Sequence, residues 1–256
     1  PLDWIIAEVS SYQSESSDTL APRIGVWTTF TPDHLSRHYT LDNYFQIKAK
    51  LQDACQLQVF NGDDAYLRQH VWGKKADACW TSLQGRQHGN LSATVYIEDD
   101  WVLAQGERLL PADALPMPGD HNRQNLLMAV AAAWLAGIGA EAIERGVRSF
   151  PGVPHRLEVI CNWQGINYIN DSKATNYDAA QVGLSAVAAP AILIAGGEAK
   201  AGDDTAWLET IHAKAAAVLL IGEAAPAFAT RLQQVGYGKY EVVETMERAI
   251  ARSKVL

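Results

Sequence analysis

Short apolar runs alternate with helix-length amphipathic segments through the last third of the chain. From Asp178 onward the pattern predicts, in order, a helix to Ala188, a strand at 191–195, a helix at 204–213, a strand at 216–221, a helix at 224–235, a strand at 239–243 and a helix from Met246. This alternation is typical of a parallel sheet whose faces are covered by helices. Ahead of the series, the runs 157–161 and 166–169 predict a hairpin that turns at Gln164-Gly165.

The first half of the chain predicts a second α/β region. Apolar runs at 4–7, 24–30 and 57–60 are interpreted as strands, the first of them a buried parallel strand. Between them, the apolar positions of 40–54 recur with the spacing of a helix. Residues 72–117 change to short alternating runs, which favours a small antiparallel appendage on this region.

Two further helices are expected before a domain boundary. One is an apolar helix at 126–136, capped by residues 119–125, and the other spans 141–149. The segment 150–154 then contains two prolines and a glycine, a composition typical of a linker. The sequence therefore predicts an α/β protein of two domains, at residues 1–152 and 153–256.

Composition and charge narrow the classes of partner. Of the 256 residues, 48% are hydrophobic and 20% are charged, and the net charge of −8 argues against nucleic acid or an anionic membrane as the main partner. The longest apolar run, 126–140, is shorter than the roughly 20 residues of a membrane span. The three cysteines of the chain, Cys55, Cys79 and Cys161, lie far apart, and we expect them to be buried as reduced thiols. Reduced thiols are typical of the cytosol, so the expected location is cytoplasmic.

Candidate metal ligands follow the first two expected strands. Glu8 ends the run 4–7, and His34 follows the run 24–30, so both would lie at the carboxyl edge of a parallel sheet, where nucleotide enzymes place a magnesium ligand. A surface glutamate and an exposed histidine are the simpler interpretations. Lys48, one helical turn after Tyr44, is a further candidate. The simpler interpretation is that Lys48 and Lys50 are both solvated surface lysines.

Candidate nucleotide contacts begin the helix after residue 119. Asn122 and Asn125 are three residues apart, so both side chains can face one ligand, and an amide's paired donor and acceptor suit the edge of adenine. Simple capping of the helix is the alternative. Arg156, next to His155 at the domain boundary, could reach a phosphate bound by the first domain.

The polar turn 170–176 joins an apolar strand to a helix. Backbone N–H groups at such a helix start point toward anionic ligands. Asp171, Lys173 and Thr175 add an acceptor for a ribose, a cation and a hydroxyl within one turn. An ordinary capped loop is the alternative. Lys200, after Gly196-Gly197, would lie on the same sheet edge as Lys173.

Several of these segments together resemble one family, the ATP-dependent Mur ligases of peptidoglycan synthesis. They are Glu8 to Gln13, Asp33 to Leu35 with Arg37-His38, Tyr44 followed by Lys48, Gly119 through His121-Asn122 to Asn125, Phe150 to Arg156, and Asn170 to Asn176. The last of them resembles the turn of the members that add D-glutamate to UDP-N-acetylmuramoyl-L-alanine. Folylpolyglutamate synthases, a related group, differ at that turn.

The resemblance implies a central ATPase domain of the P-loop type, here partial, and a Rossmann-like C-terminal domain. It implies that ATP phosphorylates the alanyl carboxylate to an acyl phosphate, which the amine of D-glutamate attacks. Glu8 would hold one magnesium ion, and His34 with a carbamylated Lys48 would hold a second. The partners implied are small molecules, and a monomer is expected.

The resemblance also implies roles for the remaining candidates. Asn122 and Asn125 would face adenine, Asp171 the ribose and Arg156 the γ-phosphate. D-Glutamate would be bound by Lys173, Thr175, Lys200 and His155. Around Lys200, Glu198-Ala199 departs from the family's usual sequence.

One family feature does not occur in the sequence. No Gly-x-x-x-x-Gly-Lys-Ser/Thr segment is found, although the family's phosphate loop has the form Gly-Thr-Asn-Gly-Lys-Thr. We therefore expect a fragment without the UDP-binding domain, the phosphate loop and the C-terminal end, and inactive by itself. A non-catalytic module that binds a ligand or partner, and a folylpolyglutamate-type ligase, are the alternative functions.

Overall fold

The chain divides into two compact units. The computed structural model describes residues 3–198 and 202–256. The first unit comprises the chain up to Pro116 together with Asp120–Phe150, and the second comprises Met117–Gly119 together with Pro151–Leu256. In the described part of the chain, no helix combines the length and apolar composition needed to cross a bilayer.

A mixed, six-stranded sheet forms the centre of the first unit, in the order β1-β2-β3-β6-β7-β8. The first four of these strands are parallel, and β7 and β8 are antiparallel. A separate hairpin pairs β4 with β5. The strands are β1 (Ile24–Trp27), β2 (Leu57–Asn61), β3 (Cys79–Ser82), β4 (Gln87–His88), β5 (Leu91–Ser92), β6 (Val95–Glu98), β7 (Trp101–Ala104) and β8 (Glu107–Pro111).

The antiparallel pairing expected at 72–117 is confirmed for β4 with β5 and for β6, β7 and β8. The expected appendage is wrong, because most of that region continues the main sheet. Strand β3 pairs in parallel with β2 on one side and β6 on the other. The alternating pattern concealed β3 because its polar residues are buried as fully as its apolar ones. Ser82 Oγ donates to Asp63 Oδ1 at 2.9 Å, so this hydroxyl is satisfied inside the sheet.

The expected strand at 4–7 is also absent. Residues 4–10 form no regular structure, and Ile5 and Ile6 are 80% and 98% exposed. Strand β1 is the edge strand of the sheet and pairs with β2, and residues 4–7 do not add a strand to its free edge. The backbone groups of an exposed segment of this kind can bond to water instead.

Two hydrophobic clusters cover the two faces of the sheet. Adjacent residues of β2 belong to different clusters. Val59 lies in one cluster with Leu127, and Phe60 lies in the other with Trp80. This follows from the alternation of side chains along a strand. The helices of the unit are α1 (Ser11–Glu15), α2 (Leu35–His38), α3 (Leu41–Ala54), α4 (Ala65–His70), α5 (Asp120–Leu135) and α6 (Ala140–Arg148).

Helix α5 begins earlier than the sequence predicts. Residues 120–125 were expected to cap a helix starting at 126, but they form its first turns. Their polar character hid them from a search for apolar periodicity, since Arg123 and Asn125 face solvent. Asp120 in the first turn favours this start, because a carboxylate interacts well with the positive end of the helix dipole.

The second unit contains an antiparallel hairpin and a parallel three-stranded sheet. The hairpin turn is confirmed at Gln164-Gly165, where φ values of 52° and 82° are typical of a type I′ turn. The alternating strands and helices that follow are confirmed, and Trp207, Ile211, Leu220 and Leu232 lie in their core. The elements are β9 (Glu158–Trp163), β10 (Ile166–Asn170), α7 (Tyr177–Ala186), β11 (Ala191–Gly196), α8 (Thr205–Lys214), β12 (Ala215–Ile221), α9 (Ala225–Gln234), β13 (Tyr240–Glu244) and α10 (Met246–Ser253).

The cysteines only partly match the expectation. Cys55 and Cys79 are buried, and burial raises the pKa of the Cys79 thiol to about 12. Cys161 is exposed, because every residue of β9 after Glu158 faces solvent.

Candidate active site

The first unit brings His34 and Lys48 to the two ends of a series of aromatic rings. Tyr12 contacts the His34 ring with centroids 5.3 Å apart, and it contacts the His38 ring at 5.5 Å. His38 stacks on Tyr44 at 5.3 Å, and Lys48 Nζ lies 5.4 Å from the centroid of Tyr44. These rings come from α1, α2 and α3, so the short helices α1 and α2 bring the candidates together.

Lys48 is half-buried, unlike the solvated lysine of the simpler interpretation. Burial lowers the pKa of its ammonium, and the carboxylate of Asp33 opposes that shift. A lowered pKa increases the fraction of neutral amine, which is the nucleophilic form. Its sequence neighbour Lys50 instead pairs with Asp18 at 2.8 Å on the surface.

Asp33 is a functional candidate to which the sequence assigned no role. Its Oδ2 lies 3.4 Å from His34 Nε2, and its Oδ1 accepts from the backbone N–H of His34 at 2.7 Å. His34 itself has a left-handed φ of 53°. The signal in the sequence was only the position of Asp33 in a polar turn directly before the histidine.

Glu8 is exposed and lies in a segment before α1 that forms no regular structure. Helix α1 begins three residues after Glu8, with a capping box in which Ser10 and Gln13 satisfy each other's backbone N–H groups. Among the described residues, no three His, Cys, Asp or Glu side chains converge in the way a metal ion would require.

Asn122 and Asn125 have different environments on α5. Asn122 is buried and its side chain has interaction partners, whereas Asn125 is exposed. Gln124 lies between them in sequence, and its Oε1 accepts from Asn61 Nδ2 at 3.4 Å. Asn61 Nδ2 also donates to the carbonyl of Thr28 at 2.9 Å. The start of α5 is therefore tied to the carboxyl ends of β1 and β2.

Two aspartates after β2, to which the sequence analysis assigned no role, organise the same sheet edge. Asp63 Oδ2 accepts from the N–H of Leu83 at 2.8 Å. Asp64 Oδ2 accepts from Thr29 Oγ1 and from the N–H of Phe30, both at 2.8 Å. Since both carboxylates already accept hydrogen bonds from side chains and backbone of their own unit, they shape this edge of the sheet.

In the second unit, the turn 153–157 and the turn 170–175 are joined by hydrogen bonds. The N–H of Lys173 donates to the carbonyl of His155 at 3.0 Å, and Asn170 Nδ2 donates to His155 Nδ1 at 2.8 Å. Arg156 and Lys173 are exposed beside these links, as is Thr175. The structure therefore brings His155, Arg156 and Lys173 together at the start of α7.

Asp171 is held on both sides by its own unit. Its Oδ1 accepts from the N–H of Leu157 at 3.0 Å. Its Oδ2 lies against α7, where a Cβ added to Gly183 would come within 2.1 Å of it. Asp171 thus fixes the turn that carries Lys173. Lys200, the remaining candidate, lies outside the described residues.

The two clusters can perform different chemistry. In the first unit, an imidazole, a lysine of lowered pKa and a carboxylate form a group that could bind a cation after loss of the lysine charge. In the second unit, exposed arginine and lysine side chains at a helix start could bind carboxylate or phosphate.

Two family models match the chain. The Mur ligase middle domain matches residues 2–133, and the Mur ligase, glutamate ligase domain matches residues 155–255. Together these matches account for nearly the whole chain.

Curated relatives match at high identity. The UDP-N-acetylmuramoylalanine--D-glutamate ligase of Nostoc punctiforme is 64% identical over 261 residues, which covers 100% of this chain and 52% of the relative. The protein of the same name from Microcystis aeruginosa is 60% identical over 256 residues, covering 99% of this chain and 57% of the relative. The chain spans about half the length of the curated relatives it matches.

Solved structures share the fold at low identity. UDP-N-acetylmuramate-alanine ligase from Thermotoga maritima superposes with a TM-score of 0.68 at 19% identity, covering 92% of this chain and 53% of that one. Folylpolyglutamate synthase from Mycobacterium tuberculosis, solved with ADP, gives a TM-score of 0.67 at 15% identity and covers 95% and 57%. The α/β units, the two matched domains and the high identity to named relatives lead to one conclusion: the chain belongs to the Mur ligase family.

Proposed function

We propose that the protein containing this chain adds D-glutamate to UDP-N-acetylmuramoyl-L-alanine at the expense of ATP, in peptidoglycan precursor synthesis. The observation that carries the proposal is the 64% identity, over the whole chain, to a relative named for that reaction. The protein would act as a cytoplasmic monomer on small molecules. Domain 1–152 would bind ATP, and domain 153–256 would bind the amino acid.

The proposed reaction has two steps, phosphorylation of the alanyl carboxylate and formation of the amide. The alanyl carboxylate attacks the γ-phosphorus of ATP, and the bond to the β-phosphate oxygen breaks, which gives an acyl phosphate and ADP. The neutral amine of D-glutamate then attacks the activated carbonyl, loses a proton and expels inorganic phosphate as the amide forms. Positioning and stabilisation of the phosphoryl charge supply most of the catalysis in such transfers.

The first unit fits magnesium on one condition, which is carbamylation of Lys48. As an ammonium, Lys48 would repel a cation beside His34. Its lowered pKa favours the free amine. Addition of this amine to CO2 with loss of a proton would replace the ammonium cation of Lys48 with a carbamate anion. Glu8 and His34 would complete the donors for two ions. When bound, the metal would neutralise charge on the phosphates and on the acyl phosphate.

The remaining candidates keep their proposed roles toward ATP. In the first unit, Asn122 and Asn125 would bind adenine. In the second unit, Asp171 would accept a hydrogen bond from the ribose, and the exposed guanidinium of Arg156 would bind the γ-phosphate. Asp171 Oδ1 already accepts from Leu157, so the ribose would share this carboxylate.

D-Glutamate would be bound by the turn at the start of α7. Lys173, Thr175 and His155 would contact its carboxylates, together with Lys200. The hydrogen bond between the backbone of Lys173 and the carbonyl of His155 supports this grouping, because it fixes two of the four residues in one place.

A chimera tests the proposal. This chain would replace the matched half of the Nostoc punctiforme relative, and phosphate release from ATP would be measured with each substrate omitted in turn. We expect release to require both UDP-N-acetylmuramoyl-L-alanine and D-glutamate, and Lys48→Ala to reduce it about 100-fold or more. In the same chimera, Lys173→Ala would chiefly weaken D-glutamate use.

Two other outcomes correspond to the alternative functions. A folded chimera that releases no phosphate but still binds D-glutamate would indicate a non-catalytic module. Release that depends on L-glutamate and a folate substrate would indicate a folylpolyglutamate-type ligase, whose fold the chain shares.

A further inference from the structure

His38 is the central ring of the series that joins His34 to Lys48. It is completely buried, and it packs between Tyr12 of α1 and Tyr44 of α3. Tyr12 contacts the ring of His34, while Tyr44 lies under the amine of Lys48. A rotation of the His38 ring would therefore displace the supports of both side chains.

One hydrogen bond fixes that rotation. His38 Nε2 lies 3.0 Å from Ser11 Oγ, and Ser11 is itself buried at the start of α1. The other ring nitrogen, Nδ1, is buried and has no hydrogen-bond partner among the residues that the structure describes. A phenyl ring would fill similar space without leaving a buried nitrogen unpaired, so packing alone does not explain an imidazole here.

We propose that His38 is a positioning residue, whose bond to Ser11 orients the ring series and thereby holds Lys48 and His34 in place for their proposed metal site. The role in a metal site rests on the proposed function. The positions of the rings and of Lys48 can be measured without enzyme turnover. Preorganised sites require supporting side chains that are themselves locked by packing and hydrogen bonds.

Three substitutions separate positioning from general stability. Ser11→Ala and His38→Phe break the bond from either side. Ser14→Ala is the matched control, because Ser14 is an equally buried serine of α1 that donates to the carbonyl of Ile47 at 2.8 Å. Ser11→Ala and Ser14→Ala each lose one buried hydrogen bond, so similar losses of thermal stability are expected from both.

The first readout is the NMR signal of the Lys48 ε-methylene in the full chain with ¹³C-labelled lysine, assigned by its disappearance in Lys48→Arg. In the wild type, the ring of Tyr44 should displace this signal upfield. Ser11→Ala and His38→Phe should each lose at least half of the displacement, and Ser14→Ala should keep nearly all of it. The inference is overturned if both bond-breaking variants retain the wild-type signal, if Ser14→Ala loses as much, or if the wild type shows no displacement.

The second readout is the carbamate signal of Lys48 in ¹³C-bicarbonate. Its occupancy should fall at least threefold in Ser11→Ala and His38→Phe. A wild type with a displaced methylene signal but no carbamate would contradict the proposed carbamylation, while the first readout still decides the role of His38. Alanine is well tolerated in the first turn of a helix, so Ser11→Ala provides the test even if His38→Phe does not fold.

Discussion

The contact between Asp171 and Gly183 shows how closely the second unit packs at its candidate site. The Oδ2 atom of Asp171 occupies the position where any larger residue at 183 would place its Cβ. The same carboxylate accepts from the backbone of Leu157, so one side chain links the hairpin, the turn and α7. The glycine is needed here for close approach.

Gly183→Ala should therefore lower the free energy of unfolding by about 1–3 kcal/mol, because overpacking forces the carboxylate or the helix to move. Urea unfolding would measure the loss. Gly146→Ala is the control: Gly146 is exposed in α6 with nothing within 4 Å of an added Cβ. That substitution should stabilise by about 0.5–1 kcal/mol. Equal stability of wild type and Gly183→Ala would show that the contact is loose.

Lys48 predicts a pH dependence of stability. Its folded pKa is lowered, chiefly by burial, so the unfolded chain holds more protons as the pH approaches the ordinary lysine value of about 10.4. Stability rises with pH wherever the unfolded state binds more protons. In CO2-free buffer, wild type should thus gain stability relative to Lys48→Met as the pH rises toward the ordinary lysine pKa of about 10.4.

The exposed neighbour Lys50 provides the control for that measurement. Lys50→Met removes only a surface pair with Asp18, which contributes little to stability. Its difference from wild type should stay nearly constant over the same pH range. A constant difference for Lys48→Met as well would mean that Lys48 is solvated like Lys50.

At the scale of elements, one ion pair joins α8 to α9. Arg231 donates from Nε to Asp204 Oδ2 at 2.8 Å and from Nη2 to Asp204 Oδ1 at 2.6 Å. Asp204 is buried at the start of α8, and the hydrogen bond from Arg231 lowers the pKa of its carboxyl. A two-point pair of this kind fixes the angle between helices as well as their distance.

Asp204→Asn should lower the free energy of unfolding at pH 7 by about 1–3 kcal/mol. Because the folded pKa is depressed, the wild-type contribution is complete above the unfolded value of about 3.9 and is lost as the pH falls below it. Urea unfolding should show the difference from wild type narrowing toward pH 2. Glu144→Gln, which removes an exposed pair with Arg148 on α6, should cost about 0.5 kcal/mol or less at either pH. A difference that is independent of pH would contradict the assignment of the effect to Asp204 ionisation.

The elements differ in how far the sequence could predict them. The strands and helices after Asp178 were predictable because apolar runs and amphipathic segments alternate without interruption there. Strand β3 was hidden, since its buried Thr81 and Ser82 read as polar. The run at 4–7 read as a strand, but a strand requires a neighbour that the local pattern does not reveal.

The same distinction applies to the candidate site. His34 and Lys48 were singled out from local motifs, whereas His38 gains its importance from contacts between α1, α2 and α3. Such contacts join residues far apart in the chain, and no periodicity signals them. Asp63 and Asp64 show the same limit, because only the folded sheet reveals which groups donate to their carboxylates.

At the scale of the whole molecule, the chain comprises two compact units that correspond to two matched domains of one ligase family. The first unit contains a lysine of lowered pKa beside a histidine, and the second contains a cationic turn at a helix start. We propose that these groups serve the formation of an amide through an acyl phosphate.

Isotope transfer tests that claim most directly. UDP-N-acetylmuramoyl-L-alanine labelled with ¹⁸O in its alanyl carboxylate would be supplied with ATP and D-glutamate to the chimera that contains this chain. We expect each amide formed to be accompanied by one inorganic phosphate that carries one ¹⁸O atom from the carboxylate. Amide formation with unlabelled phosphate would contradict it.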